Sequence, residues 1–148
     1  MDDKVVTVPD AGSVPLGAPI PNLFTETYWA AAREGRLLVR RCHTCGHAHH
    51  PPRPACPICW SDEVVWEDAS GVGALYTFSV IHENDLAPFS AGLPYVVAVV
   101  ELDEGPRFMT TIIDSDPDDL QVGAPVSVVF VDRDGVSIPV FKLNQSSG

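Results

Sequence analysis

The chain has 148 residues, 45% of them apolar, enough for one ordinary domain or two small modules with a real core. Its formal net charge of −11 is unevenly spread: residues 1–60 carry six Lys/Arg against five Asp/Glu, and residues 61–148 carry three against fifteen. So acidic a surface repels phosphate backbones and argues against nucleic acid as a partner. No apolar run approaches the roughly 18 residues of a membrane span, and the absence of a basic-then-apolar start leads us to expect no secretory signal and a cytoplasmic location, where thiols stay reduced.

Residues 1–22 hold Pro9, Pro15, Pro19 and Pro21 with Gly12 and Gly17, a composition that predicts an extended arm. The run "LFTETYWAAARE" predicts one helix over 23–34, with Thr25 as its cap and Gly35 ending it. Phe24, Tyr28 and Ala31 or Ala32 recur three or four apart and share a face. The plain reading of that face is core packing against the next module. The sharper one is a docking face for a partner, with Phe24, Tyr28 and Trp29 as contacts. "LLVRR" (37–41) predicts a short strand.

From Val64 onward the pattern is β. "EVVWED", "ALYTFSVI", "PYVVAVVEL", "RFMTTII", "PVSVVFVD" and "VSIPVFKL" are separated by Pro, Gly and Asp clusters. With no long helix between them, they predict a small antiparallel barrel or sandwich. The unbroken apolar run of "PYVVAVVEL" predicts burial on both faces. Gly71-Val72-Gly73 lacks the third glycine of a phosphate loop and reads as a bend or bulge. "DSDPDDLQVGAP" predicts an acidic turn or a single helical turn. The final "NQSSG" (144–148) predicts a loose tail.

All four cysteines lie in "CHTCGHAHHPPRPACPIC" (42–59), as Cys42-x2-Cys45, ten residues, then Cys56-x2-Cys59. Each pair can form a knuckle that aims two sulfurs at one point. Two knuckles make a tetrahedral four-thiolate cage suited to zinc or a single iron. Gly46, directly after the first pair, suits the positive φ such a knuckle needs. A cage filled by four thiolates leaves no position for water, so one structural zinc per chain is expected, not a catalytic metal. The alternative, four free thiols in a core, wastes the paired spacing. A thioredoxin-like redox pair needs one Cys-x-x-Cys in a βαβ setting, which is absent. His47, His49 and His50 then read as loop side chains, not ligands.

Arg33, Arg36, Arg40, Arg41 and Arg53 are the only basic concentration. They read either as solvated charges that offset a doubly negative metal centre or as a phosphate-contacting patch. Catalytic apparatus is sparse: there is no Gly-x-Ser-x-Gly, Walker loop or His-Glu-x-x-His. His82 with Glu83 at a strand end reads as surface. Asp114, Asp116, Asp118 and Asp119 lack the glycine and terminal glutamate of a calcium loop.

The order of these motifs, an aromatic helix, the cysteine run with "PPRPACPIC", then "SGVGALYTFSVIH", "PYVVAVVELDEGPRFMTTI", "LQVGAPVSVVF" and "VSIPVFKL", closely resembles domain-of-unknown-function family thirty-five. Those are OB-fold proteins with a rubredoxin-like zinc ribbon, and the resemblance covers residues 23–143. It implies a mostly β fold: an N-terminal helix (23–35), a ribbon (36–62) with Cys42, Cys45, Cys56 and Cys59 on zinc, and a five-stranded antiparallel OB barrel (63–143). It also implies a non-catalytic accessory subunit in a hetero-oligomer with a thiolase-like enzyme, a thiolase or lipid-transfer-protein-like aldolase. Such complexes handle acyl-CoA in lipid or steroid degradation. An acyl-CoA would place its phosphates on the ribbon side, with Arg40, Arg41 and Arg53 as contacts. The competing expectations are a rubredoxin-like electron carrier, which would be coloured, and a nucleic-acid-binding OB module, which the charge opposes.

Overall fold

The structure is a computed structural model and describes residues 19–144 apart from Pro88. Most of the expected N-terminal arm and the last four residues lie outside the described residues. Helix α1 (Glu26–Arg33) is followed by β1 (Leu38–Cys42), β2 (Ala48–His49), β3 (Val64–Asp68), β4 (Val72–Ile81), β5 (Tyr95–Leu102), β6 (Arg107–Ile112), β7 (Pro125–Arg133) and β8 (Val136–Leu143). Two short 3-10 turns, Phe89–Gly92 and Pro117–Asp119, interrupt the loops. The second is the expected helical turn in the acidic segment.

Thr25 stands at the N-cap position of α1 as expected, but its side chain caps no helix N–H; hydrogen bonds instead close the turn that Asn22 opens just ahead of it, and the C-terminal end. Asn22 Oδ1 accepts from the Thr25 N–H at 2.9 Å, and Thr25 Oγ1 accepts from the Asn22 N–H at 3.0 Å. This is a reciprocal pairing of the capping-box kind across that turn, with Thr25 in the third position. At the other end Gly35 sits at φ +78, its N–H reaches Ala32 O at 3.0 Å, and the Arg36 N–H reaches Ala31 O at 2.9 Å. That Schellman arrangement needs a left-handed residue, which glycine supplies without a steric cost.

The ribbon is a three-stranded sheet in the order β2-β1-β3. β3 pairs with β1 from Leu38↔Asp68 to Cys42↔Val64, so the ribbon sheet runs to Asp68 and not to residue 62. Val64 pairs with Cys42 and Trp66 with Arg40 across that ladder, which their place ahead of the barrel strands concealed. Leu37, Leu38 and Val39 join Tyr28 and Ala31 of α1 and the barrel interior in one continuous core.

β4 to β8 close a barrel in the order β4-β5-β6-β8-β7. The ladders are antiparallel except β6–β8, which is parallel. An odd ring cannot alternate direction all the way round, so a five-stranded closed barrel must contain a parallel pair. This corrects the all-antiparallel expectation. The parallel ladder is a single pair, Ile112↔Phe141. β4 bends through a bulge between Leu75 and Thr77, which lets it serve both β5 and β7. Gly73 is required where β4 meets β5, since a Cβ there would lie 2.3 Å from Glu101 O. β7 turns into β8 through Asp134 (φ 52) and Gly135 (φ 86), the Asp-Gly signature of a type I′ hairpin.

β5 alternates: Val96, Ala98, Val100 and Leu102 are buried, while Tyr95, Val97 and Val99 are half-buried and Glu101 is exposed. The expected burial on both faces is therefore corrected to one. The apolar outer face is explained by the cleft described below, which Tyr95 and Val97 line.

Candidate functional site

The two cysteine pairs fold the same way. In the first, the Gly46 N–H reaches Cys42 O at 2.9 Å and the Cys42 N–H reaches His47 O at 2.9 Å. In the second, the Trp60 N–H reaches Cys56 O at 3.0 Å and the Cys56 N–H reaches Ser61 O at 2.9 Å. The residue after each pair is left-handed, Gly46 at φ +79 and Trp60 at φ 65. For Trp60 that conformation costs about 1–2 kcal/mol, so the sequence alone located one knuckle glycine but not its strained counterpart.

The four sulfurs converge. Cys42 Sγ lies 3.6 Å from Cys59 Sγ, Cys45 Sγ lies 3.6 Å from Cys56 Sγ, and all four ligand atoms are within 4.8 Å of one another. A tetrahedron of sulfurs about 2.3 Å from a metal has edges of about 3.8 Å, so this donor set fits a metal without rearrangement. The Cys45 and Thr44 N–H groups aim at Cys42 and hold its thiol down to about 6 against the opposing effect of burial. That favours the thiolate a metal needs at Cys42, whereas Cys45 and Cys59 are pushed up. Cys42 and Cys56 are buried, and Cys45 and Cys59 are exposed. Among the described residues these cysteines are the one cluster able to hold a metal, and the histidines stay outside it. His49 is buried with neither ring nitrogen hydrogen-bonded, and burial lowers its pKa. His82, Glu83 and the Asp114–Asp119 turn form no such group.

The arginines do not stand together as a patch. Arg36 pairs with Asp68 at 2.7 Å and with Glu34 at 3.0 Å. Arg40 is buried, its guanidinium 4.5 Å from the Trp66 ring centroid and 5.3 Å from that of Phe24. Its Nε donates to Arg53 O at 3.3 Å. Arg41 donates to Glu67 at 2.6 Å and to Gly46 O at 2.8 Å. Of the three expected phosphate contacts, only Arg53 is both exposed and outside the ion pairs formed among the described residues. Arg40 is spent on stacking and Arg41 on an acid 26 residues away, neither visible in a count of charges.

The aromatic helix packs inward. Tyr28 is buried, which pushes its phenol well above the ordinary range, and its ring lies 6.3 Å from Trp66 and 5.7 Å from His50. Phe24 lies 5.7 Å from Trp66. Phe24 and Trp29 remain half-buried and available at the surface. Trp66 and His50 were missed because neither belongs to a local periodicity. They become important only when α1, the ribbon and the barrel meet.

At that meeting point lies a cleft of about 980 Å³. Its walls come from α1 (Thr25, Trp29), from His50-Pro51-Pro52, from β5 and β6 (Val97, Met109) and from β8. Phe89 and Gly92 of the loop after β4, and Asp132, Arg133 and Asp134 at the end of β7 and its turn into β8, complete the rim. In OB barrels the second and third strands with these two loops form the usual ligand face.

His50 forms one wall between Tyr28 and Phe108, whose centroid is 4.2 Å away. Burial pushes its imidazole down to about 4, from an ordinary value of about 6.5. The unfolded chain therefore takes up this proton first as pH falls. Stability is lost between about pH 6.5 and pH 4, by on the order of 3 kcal/mol, and is unaffected by this group above that window. His50→Phe is expected to remove that part of the acid sensitivity. Urea melts of both proteins at pH 7 and pH 5 check it; an unchanged difference between them at the two pH values contradicts the assignment.

Two family models match the chain in order: the ChsH2 rubredoxin-like zinc ribbon over residues 29–65 and the ChsH2 C-terminal OB-fold domain over residues 66–131. A probable enoyl-CoA hydratase alpha subunit from Thermomonospora curvata is 36% identical over 84% of this chain, which spans only 39% of that protein's length. A DUF35 domain-containing scaffold protein from Methanocaldococcus jannaschii is 39% identical over 69% of this chain and 73% of its own length. Among solved structures, a chain of the Ltp2-ChsH2(DUF35) aldolase superposes with a TM-score of 0.75 at 35% identity, covering 85% of this chain and 98% of that one. No helix among the described residues is long and apolar enough to cross a membrane. With ribbon and barrel matched in sequence, in order and in three dimensions, the chain belongs to the DUF35 family, in its ChsH2-type form of a zinc ribbon followed by an OB fold.

Proposed function

We propose that this chain is a non-catalytic cytoplasmic scaffold subunit that binds a thiolase-like aldolase and helps present an acyl-CoA thioester to it. The observation that carries the reading is its likeness, over nearly the full length of the matched chain, to a component of the Ltp2-ChsH2(DUF35) aldolase. The chemistry of the site agrees with it. Four converging cysteines would fill all four positions of one tetrahedral zinc per chain, leaving none open to activate water. The cleft is lined mainly by apolar side chains, with His50, Asp132, Arg133 and Asp134 also among its lining residues.

In this reading the partner contacts come from α1 and the turn before it, where Phe24 and Trp29 are half-buried and Leu23 is 94% exposed. Tyr28 supports that surface from inside. A stable complex should bury at least about 1,000 Å² in total. Arg53 supplies the charge for CoA phosphate.

Co-expression with a candidate aldolase, followed by size-exclusion chromatography and assay, tests the proposal. The expected result is a single co-eluting peak whose aldolase activity exceeds that of the enzyme made alone, with no turnover by this chain by itself. Leu23→Asp with Trp29→Asp should split the peak. If the enzyme is fully active and elutes alone, the scaffold reading fails for that pair. Turnover of acyl-CoA by the isolated chain overturns it altogether.

A further inference from the structure

The arginines of the ribbon are paired in the reverse order of their need. Exposed Arg36 has two acids, Asp68 and Glu34, and half-buried Arg41 has Glu67. Water alone would satisfy most of those two charges. Arg40 is only 7% exposed, yet it forms no ion pair among the described residues. A charge withdrawn from water without a counter-ion is strongly destabilising, and buried charges are found paired for that reason.

The surroundings of Arg40 hold its charge without answering it. On the ribbon sheet it stands in one row between His49 of β2 and Trp66 of β3. Its guanidinium packs against the rings of Trp66 and Phe24, which attract a cation but accept little hydrogen bonding. Nε is taken by Arg53 O at 3.3 Å. Nη1 and Nη2 have no hydrogen-bond partner among the described residues, and unlike the ring nitrogens of His49 they are not sealed from solvent. Glu67 and Asp68 of β3 are committed to Arg41 and Arg36. Cys42 is the next residue of β1 on the same face, roughly 7 Å along the strand. A thiolate centre there offsets charge at a distance but leaves the Nη edge unbonded.

What remains is a flat, water-poor fork with its end open. Two parallel N–H groups on a planar guanidinium are the complement of a carboxylate. With so little of Arg40 reaching solvent, the acid has to arrive on a narrow stem, as an aspartate or glutamate side chain does and a nucleotide phosphate does not. Phe24, half-buried, borders the fork, and Leu23 beside it is 94% exposed. An arginine set among aromatic side chains and shielded from water is the usual make-up of an interface hot spot.

We infer that Arg40 is the seat for a carboxylate of the partner protein: an Asp or Glu side chain of the scaffolded enzyme closes on the free Nη edge, while Leu23 and Phe24 pack around it. This deepens the scaffold reading and rests on it. The unanswered charge lowers the stability of the free chain and becomes favourable only in the complex, so removing it should have opposite effects on the two.

The test uses the full chain, alone and co-expressed with the candidate aldolase. Arg40→Met keeps the apolar stem and removes the charge. The chain alone should then melt in urea at the same concentration as wild type or higher, while its affinity for the aldolase falls at least about thirtyfold. Arg40→Lys keeps the charge without the fork and should fall between the two. Arg107→Met removes an equal charge from the barrel and should leave affinity within about threefold. In the wild-type complex, the guanidinium nitrogen NMR signals of Arg40 should sharpen and separate as the Nη groups are fixed, a readout that needs no variant to fold.

Wild-type affinity in folded Arg40→Met, or Arg40 signals that do not change on complex formation, overturns the inference and leaves the scaffold reading standing. Acetate saturating Arg40 in the chain alone would then give the site to a free organic acid, and a dimer of this chain lost in Arg40→Met would give it to a second copy. A variant whose own stability falls along with its binding assigns Arg40 to the fold and also overturns the inference. If the wild-type chain forms no complex at all, the scaffold reading fails and takes this one with it.

Discussion

Changing Cys56 to serine is expected to strip the metal and melt the ribbon. The reason is how little else holds that module. Its own buried cluster consists of Cys42, Cys56 and Val64, so two of its three members are metal ligands. The exposed knuckle tips, with Ile58 and Trp60 largely in solvent, add no burial. Four-thiolate zinc sites contribute on the order of 10 kcal/mol of apparent binding energy, and in so small a module that energy is folding energy.

Elemental analysis of the freshly purified wild type should give one zinc per chain and no visible absorption. The variant should retain little metal and lose hydrogen-exchange protection across β1 to β3. The damage should spread, because Leu38 and Val39 of β1 belong to the same core as the barrel. A chelator should have the same effect on the wild type. Wild-type protein free of zinc and iron removes the metal site. A red protein with a ferric spectrum replaces zinc by iron and revives the electron-carrier reading.

Phe141→Ala is expected to cost about 3–5 kcal/mol, the usual range for a fully buried aromatic. Phe141 has no exposed surface, and its ring packs tilted against that of Phe108 with the centroids 5.8 Å apart. It is also the β8 half of the single pair that closes the barrel. The loss is a large share of the roughly 5–15 kcal/mol that holds a domain together. Phe108 in turn carries His50 at 4.2 Å, so the cavity should also loosen the cleft wall and raise the His50 pKa toward its ordinary value. Denaturant melts and histidine NMR titration read the two effects. A stability loss below about 1 kcal/mol would falsify the placement of Phe141 at the centre of the core. Val128→Ala on the same sheet is the milder control, since Val128 is only half-buried.

The features legible in the sequence were those whose physical cause is local. Two Cys-x-x-Cys spacings define a four-sulfur donor set because a knuckle is a short-range turn, and the structure brings those four sulfurs together. Strands β4 to β8 were legible because alternation and Gly, Pro and Asp punctuation are properties of neighbouring residues. Only tertiary structure could decide what depends on distant segments meeting. Arg40 and Arg41 resembled free charge until Trp66 and Glu67 arrived from β3 to stack on one and pair with the other. Tyr28 read either as core packing or as a partner contact, and only its enclosure by ribbon and barrel decides for the core. The parallel closure of β6 on β8 follows from ring parity, which no strand carries by itself. Local patterns determine which elements form and which atoms can bind a metal; the burial, pairing and exposure of each side chain are set by which elements come to lie against one another.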